Sequence, residues 1–133
     1  MIKWCKTKKV LHLNGTQQEK YMAKIIRDTP ITLKDLAKVI SKNSTMGEGD
    51  VYGVLIELRD KMGDYLKEGH SVNIPEFGTF YVAITSKAEA KEEEVSEASI
   101  KNTTCRFRAS NELRKGLIDT KKKFIDLNEI KHI

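Results

Sequence analysis

Arg106 and Arg108 are the residues whose type and spacing first point to chemistry. They lie in a segment, about 100–108, where Cys105 and Phe107 alternate with Thr104, Arg106 and Arg108. A strand has a side-chain period of two, so both guanidinium groups fall on one face. Two cations held on one face suit contact with phosphate. The plain alternative is a solvated strand face whose arginines pair with nearby glutamates. Lys101 lies upstream on the same strand. Downstream, Ser110-Asn111 reads as a helix start whose backbone N–H groups face a possible anion, and Arg114 and Lys115 follow in that helix.

Other charged groups are less specific. Lys121, Lys122 and Lys123 read as a solvated helix end or tail. Lys3, Lys6, Lys8 and Lys9 either add electrostatic affinity or guard an edge strand against aggregation. Glu92, Glu93 and Glu94 form a charge run with no His or Asp beside it, which is the pattern of a solvated segment. His12, His70 and His132 lack metal-ligand spacing. No Ser/His/Asp set, Cys/His pair or glycine-rich phosphate loop is present, so the reading contains no catalytic residue, no metal site and no cofactor. Met46 and Met62 sit at helical positions as core fillers, and Trp4 is expected to pack an added strand rather than stack on a base.

The chain has 133 residues, a length typical of one domain, and a formal net charge of +5. That excess is mild, but it is uneven. Residues 1–31 carry +5, residues 86–100 carry −3 and residues 101–133 carry +5. Basic ends around an acidic stretch suggest an anionic partner for part of the surface. Cys5 and Cys105 are far apart with no CxxC pattern, as expected of free thiols in a reducing compartment. No run of 18 apolar residues exists and no signal-peptide pattern opens the chain, so a cytoplasmic protein without a membrane partner is expected.

The elements that must position these groups are legible in outline. Residues 1–30 read as two strands joined by a loop at 14–19, where Asn14-Gly15 is a turn signal; a short helix over 17–27 competes. Thr32 with Asp35 forms a capping-box pattern, and Leu33, Leu36, Ala37 and Ile40 then mark one helical face ending near Lys42-Asn43. Thr45 with Glu48 reads as a second capping box. The stripe Val51, Val54, Leu55, Leu58, Met62, Tyr65 and Leu66 follows, closing at Gly69. Strands are predicted at about 71–74 and 77–85, with Phe80, Val82 and Ile84 on one face and Tyr81, Ala83 and Thr85 on the other. Residues 86–99 read as an exposed arm or flexible loop. Ser110 caps a third helix carrying Leu113, Leu117 and Ile118. Phe124, Leu127 and Ile130 either extend a helix or pack as a separate turn.

Several segments in this order resemble the HU/IHF family of bacterial histone-like DNA-binding proteins. Thr32 through Ala37 is similar to that family's first-helix start, and Leu66-Lys67-Glu68-Gly69 with Val72 to its second-helix exit. Phe77-Gly78-Thr79-Phe80 is similar to its hairpin signature. Phe107, Ser110 and Leu113 resemble the return from the arm into the third helix. The likeness spans roughly Ile31 to Ile118. The N-terminal strand pair and the tail look like those of a longer, HU-related branch.

The resemblance implies an α+β chain with an HU/IHF-like fold. It would have a helical-hairpin base, a three-stranded antiparallel saddle sheet, a protruding arm, a C-terminal helix and an extra N-terminal β-hairpin. The implied division is 1–30 as the strand-pair extension, 31–120 as the DNA-binding domain with its arm at about 86–99, and 121–133 as a basic tail. It further implies an intertwined homodimer, or a heterodimer with a related chain, that binds duplex DNA with little sequence specificity. Binding would use a basic saddle and the minor groove, in the nucleoid and with no small-molecule substrate. The DNA-binding residues would be Lys87, Lys91, Lys101, Arg106, Arg108, Ser110, Arg114 and Lys115. The family bends DNA with a proline wedge at each arm tip. Here the prolines are Pro30 and Pro75, the outward positions after Phe80 are Ala83 and Thr85, and the arm carries five glutamates against two lysines. The alternative is therefore a dimeric HU-fold module that uses its acidic arm for protein interaction or regulation, with weak or no DNA binding.

Overall fold

Asn14 and Gly15 adopt φ values of 53° and 75°, the paired left-handed conformation of a type I′ two-residue hairpin turn. They join strand β1 (Ile2–Leu13) to strand β2 (Thr16–Ile26) in a continuous antiparallel register from Lys3↔Ile26 to Leu13↔Thr16. The connection is thus two residues rather than the loop expected over 14–19, and residues 17–27 are not helical. A turn whose twist matches that of the strands lets pairing begin at once.

The computed structural model describes residues 1–130. They include helix α1 (Leu33–Lys42), helix α2 (Glu48–Lys67), strand β3 (Val72–Ile74), strand β4 (Gly78–Ser86), strand β5 (Ile100–Ala109), helix α3 (Asn111–Ile118), strand β6 (Lys122–Phe124) and helix α4 (Leu127–Ile130). The chain divides into two compact units. One is Met1–Pro30 with the described residues from Leu117 onward; the other is Ile31–Gly116. Among the described residues no helix is long and apolar enough to cross a membrane.

The first unit holds a sheet in the order β2-β1-β6. β6 runs parallel to β1, pairing Ile2, Trp4 and the residue between with Lys122–Phe124. Phe124 belongs to this strand rather than to a longer helix or a separate turn, whereas Leu127 and Ile130 fall in the single helical turn α4 that follows it. The expected tail therefore begins with a strand of the N-terminal sheet. Trp4 packs on Phe124 with ring centroids 5.0 Å apart. This aromatic contact is available only once the two ends of the chain meet. His132 lies outside the described residues.

In the second unit, Thr32 caps α1 in the expected capping box. Its hydroxyl accepts from the Asp35 N–H at 3.2 Å, and its own N–H donates to the Asp35 carboxylate at 2.9 Å. The second expected box does not form. Gly47 is the N-cap of α2, with no side-chain cap bond, and Glu48 is already helical. Ser44 instead turns the chain, its hydroxyl accepting from the Met46 N–H at 3.2 Å. Glu48 and Asp50 then favour the helix start through the dipole. α2 ends as expected, with Gly69 at φ 89°.

β3, β4 and β5 form an antiparallel sheet in that order. Val72, Phe80 and Phe107 lie side by side across it, as do Ile74, Gly78 and Ala109. Phe80 and Phe107 are in ring contact at 4.7 Å. Gly78, at φ 149°, has no alternative residue: a Cβ there would meet the Arg108 carbonyl oxygen and come within 2.8 Å of the Phe107 ring.

Little of this apolar surface is covered within one chain. Among the described residues, Cys5, Ala37 and Val51 are the buried apolar side chains. Val54, Leu58, Tyr65, Ile84 and Phe107 are all exposed. Leu33, Leu55, Leu58, Met62, Leu66 and Phe80 line an open apolar groove of about 520 Å³.

Candidate nucleic-acid interface

The β4–β5 register decides which side chains share a face. Thr79 lies opposite Arg108, Tyr81 opposite Arg106, Ala83 opposite Thr104 and Thr85 opposite Asn102. Asn73 of β3 joins this face opposite Thr79, whose hydroxyl donates to its side-chain oxygen at 3.0 Å. The face is polar, and its strand positions carry no carboxylate. Directly opposed residues have neighbouring Cβ atoms, so Arg106 rests beside the Tyr81 ring position and Arg108 beside the Thr79–Asn73 pair. Among the described residues neither arginine makes an ion pair, so the expected alternative of arginines paired with arm glutamates is not what the molecule adopts. Both guanidinium groups are exposed on one side of the sheet.

Arg108 also reaches the entry to α3. Asn73, Thr79, Arg108, Ser110, Asn111 and Arg114 line a polar concavity of about 360 Å³. Glu112 lies there too, which lowers its attraction for an anion. Ser110 is committed to structure: its hydroxyl donates to the Glu76 carbonyl at 2.8 Å and accepts from the Leu113 N–H at 3.2 Å. It caps α3 and ties that helix to the β3–β4 turn. The Arg114 guanidinium donates to the Asn111 side-chain oxygen at 2.8 Å, which holds it along the first turn of the helix.

The remaining expected site residues do not join this cluster. Lys101 is the extra residue of β5 where the register shifts, since Thr85 pairs with Asn102 and Ser86 with Ile100. Lys115 is exposed in the last turn of α3. Lys87 sits 3.4 Å from Glu89 at the base of the arm, and Lys91 precedes a short 3-10 turn at Glu92–Glu94.

The arm is more structured than a flexible loop. A second 3-10 turn forms at Glu97–Ser99, and Ser99 is almost fully buried. Its hydroxyl donates to the Glu89 carboxylate at 3.0 Å, and its carbonyl accepts from the Lys87 N–H at 2.9 Å. These bonds fold residues 87–99 onto themselves and leave Glu92, Glu93, Glu94 and Glu97 in solvent.

Sequence reasoning missed Asn73 and Thr79 as members of the basic face. The alternation of β4 pointed to Tyr81, but β3 is three residues long and its register could be read only from pairing.

A helical hairpin below a three-stranded antiparallel sheet, with a basic face and an arm between the second and third strands, defines a mixed α+β domain built around an exposed cationic sheet. The family described as "HU domain fused to wHTH, Ig, or Glycine-rich motif" matches residues 4–124, and the chain belongs to it. In structure it is similar to a candidate bacterial DNA-binding protein from Bacteroides vulgatus ATCC 8482. The TM-score is 0.64 at 14% identity, over 93% of this chain and 48% of that one. That likeness concerns the fold, and this chain spans about half the length of the solved one. No curated protein matches the sequence.

Proposed function

We propose that this protein binds duplex DNA as an HU-like, sequence-tolerant dimer of the cytoplasmic nucleoid. The observation that carries the reading is the carboxylate-free sheet face on which Arg106 and Arg108 stand unpaired beside Tyr81, Thr79 and Asn73. Such a face neutralises phosphates and releases counterions, a term that is indifferent to base sequence. Arg114 extends the cationic surface beyond Arg108. Lys87, Lys91, Lys101 and Lys115 supply longer-range attraction rather than a built contact. HU-family membership and the name of the Bacteroides vulgatus structure both support DNA as the partner.

Burial supports the dimer. A chain of 133 residues normally covers most of its apolar side chains, yet α1, α2 and the β4–β5 sheet leave many of theirs exposed or half-exposed. A second copy laid on the Leu58–Met62–Phe80 groove would cover them. In this reading 31–120 is the DNA-binding domain and the N-terminal strand pair is an addition to it.

The test is anisotropy of a labelled mixed-sequence duplex at several salt concentrations. Affinity should fall steeply with salt. The Arg106→Ala/Arg108→Ala variant should lose about 0.9 in log–log slope for each phosphate contact removed. Absence of binding at low salt would sink the proposal.

A second reading rests on the arm. Four exposed glutamates on a closed, hydrogen-bonded loop suit a basic protein partner, with the same dimer acting as an interaction module. Deleting the loop separates the two, because an interaction module loses its partner while a DNA binder does not lose its duplex.

A further inference from the structure

We propose that the β1–β2 hairpin is a second duplex-DNA contact, engaging phosphates through one lysine face. The proposal rests on the DNA-binding reading above and adds to it a site outside the β3–β4–β5 sheet.

β6 pairs with β1 only at its first residues, Ile2 to Trp4. From Lys6 to Leu13, and from Thr16 to Ala23, the hairpin is a two-stranded ribbon whose residues are almost all solvent-exposed. Eight residues per strand make a ribbon about 26 Å long. A two-stranded ribbon is narrow enough to enter the major groove of B-DNA.

The register sorts the charges. Lys9 faces Lys20 directly, and Lys24 faces Cys5, all on one side of the ribbon. Lys3 and Lys123 continue that side at the base, where Lys3 is already paired with Asp28 at 2.9 Å. The hairpin strands contain one acid, Glu19. It lies on the opposite side, across from Val10, and pairs with Lys8 at 2.7 Å. On that side Lys8 is ion-paired and Lys6 lies over the Phe124 ring at 5.2 Å, while the other side presents Lys9, Lys20 and Lys24 with no ion pair among the described residues.

Two features point to a polyanion. Like charges placed directly opposite each other destabilise a hairpin, so the Lys9–Lys20 pair is unfavourable until an anion lies beside it. Lys20 and Lys24 are also four residues apart on one strand, about 13 Å. A partner that engages both must carry charge repeated along its length, which a duplex backbone does.

The experiment uses the full chain and two charge-matched triple variants. Lys9→Gln/Lys20→Gln/Lys24→Gln removes the free face; Lys6→Gln/Lys8→Gln/Lys122→Gln removes three lysines from the other side. Binding of a fluorescein-labelled mixed-sequence duplex is followed across salt, with far-UV circular dichroism as the check on folding. The first triple should lose at least about tenfold in affinity and lower the salt slope by about 2–3, while the second lowers it by less than about 1. Equal losses from both triples would reduce the effect to net charge and overturn the proposal. A first-triple slope equal to wild type, with a reduced slope in Arg106→Ala/Arg108→Ala, would overturn the ribbon contact and leave the sheet-face reading intact. If wild type itself fails to bind, both fall.

Discussion

Gly78 and Arg108 meet across the β4–β5 sheet so closely that a methyl group on Gly78 would run into the Arg108 carbonyl oxygen. The glycine lets β4 approach β5 at the point where Arg108 enters the polar concavity. It also brings the Ser110 N–H to the Phe77 carbonyl at 2.8 Å. One residue without a side chain therefore sets the position of a cation and of the helix that follows it.

Gly78→Ala should destabilise the protein by about 2–4 kcal/mol, combining an unfavourable φ with a backbone clash. Urea denaturation measures this. A loss under about 0.5 kcal/mol would mean that β4 can move away at little cost, and that Gly78 does not position Arg108.

Thr32 donates to the Asp35 carboxylate through its backbone N–H and then through its hydroxyl, and these bonds hold the Asp35 pKa below the ordinary aspartate value. A depressed folded-state pKa gives stability that is present above the unfolded value and is lost as pH falls through the folded one. Asp35→Asn should therefore melt below wild type at pH 7, and the gap should close below about pH 4. Thr32→Ala removes the cap itself and should cost about 1 kcal/mol at neutral pH. A gap between Asp35→Asn and wild type that persists to pH 2 would show that the carboxylate charge is not what stabilises the helix start.

Leu58 and Met62 line the apolar groove beside Phe80. If a second copy covers it, Leu58→Glu/Met62→Glu places two carboxylates in the interface and should convert a sedimenting dimer into monomer. A wild-type chain that sediments as a monomer at micromolar concentration would remove the dimer from the proposed function.

Glu92, Glu93 and Glu94 extend into solvent on the arm. Near a phosphate backbone they are repulsive, so Glu92→Gln/Glu93→Gln/Glu94→Gln should tighten duplex binding several-fold at low salt and by less at high salt. Unchanged or weaker binding in this variant would mean that those carboxylates do not lie near the phosphate backbone.

The arm residues 87–99 contain no proline. Without a wedge between base steps, bending should fall below that of a proline-bearing relative. Circularisation of a short duplex compares the two, and equal efficiency would contradict the prediction.

Local physics is written in the sequence. The Thr32–Asp35 box, the 3.6-residue stripe of α2, the Gly69 stop and the two-residue alternation around Arg106 and Arg108 all act over a few neighbours, and local residue order predicts each of them. The hairpin at Asn14-Gly15 is of the same kind, except that its loop length depends on strands which begin pairing immediately. The Thr45–Glu48 box failed because its pattern competes with the Ser44 turn, and a motif cannot report which hydrogen bond wins. Long-range pairing was not legible. Asn73 joins the basic face, β6 joins β1 and Lys9 faces Lys20 only because strands distant in sequence choose a register, and register follows from the burial of whole faces rather than from any one residue. The sequence by itself determined which residues could be cationic and which elements carry them; tertiary structure decided which of those cations stand together.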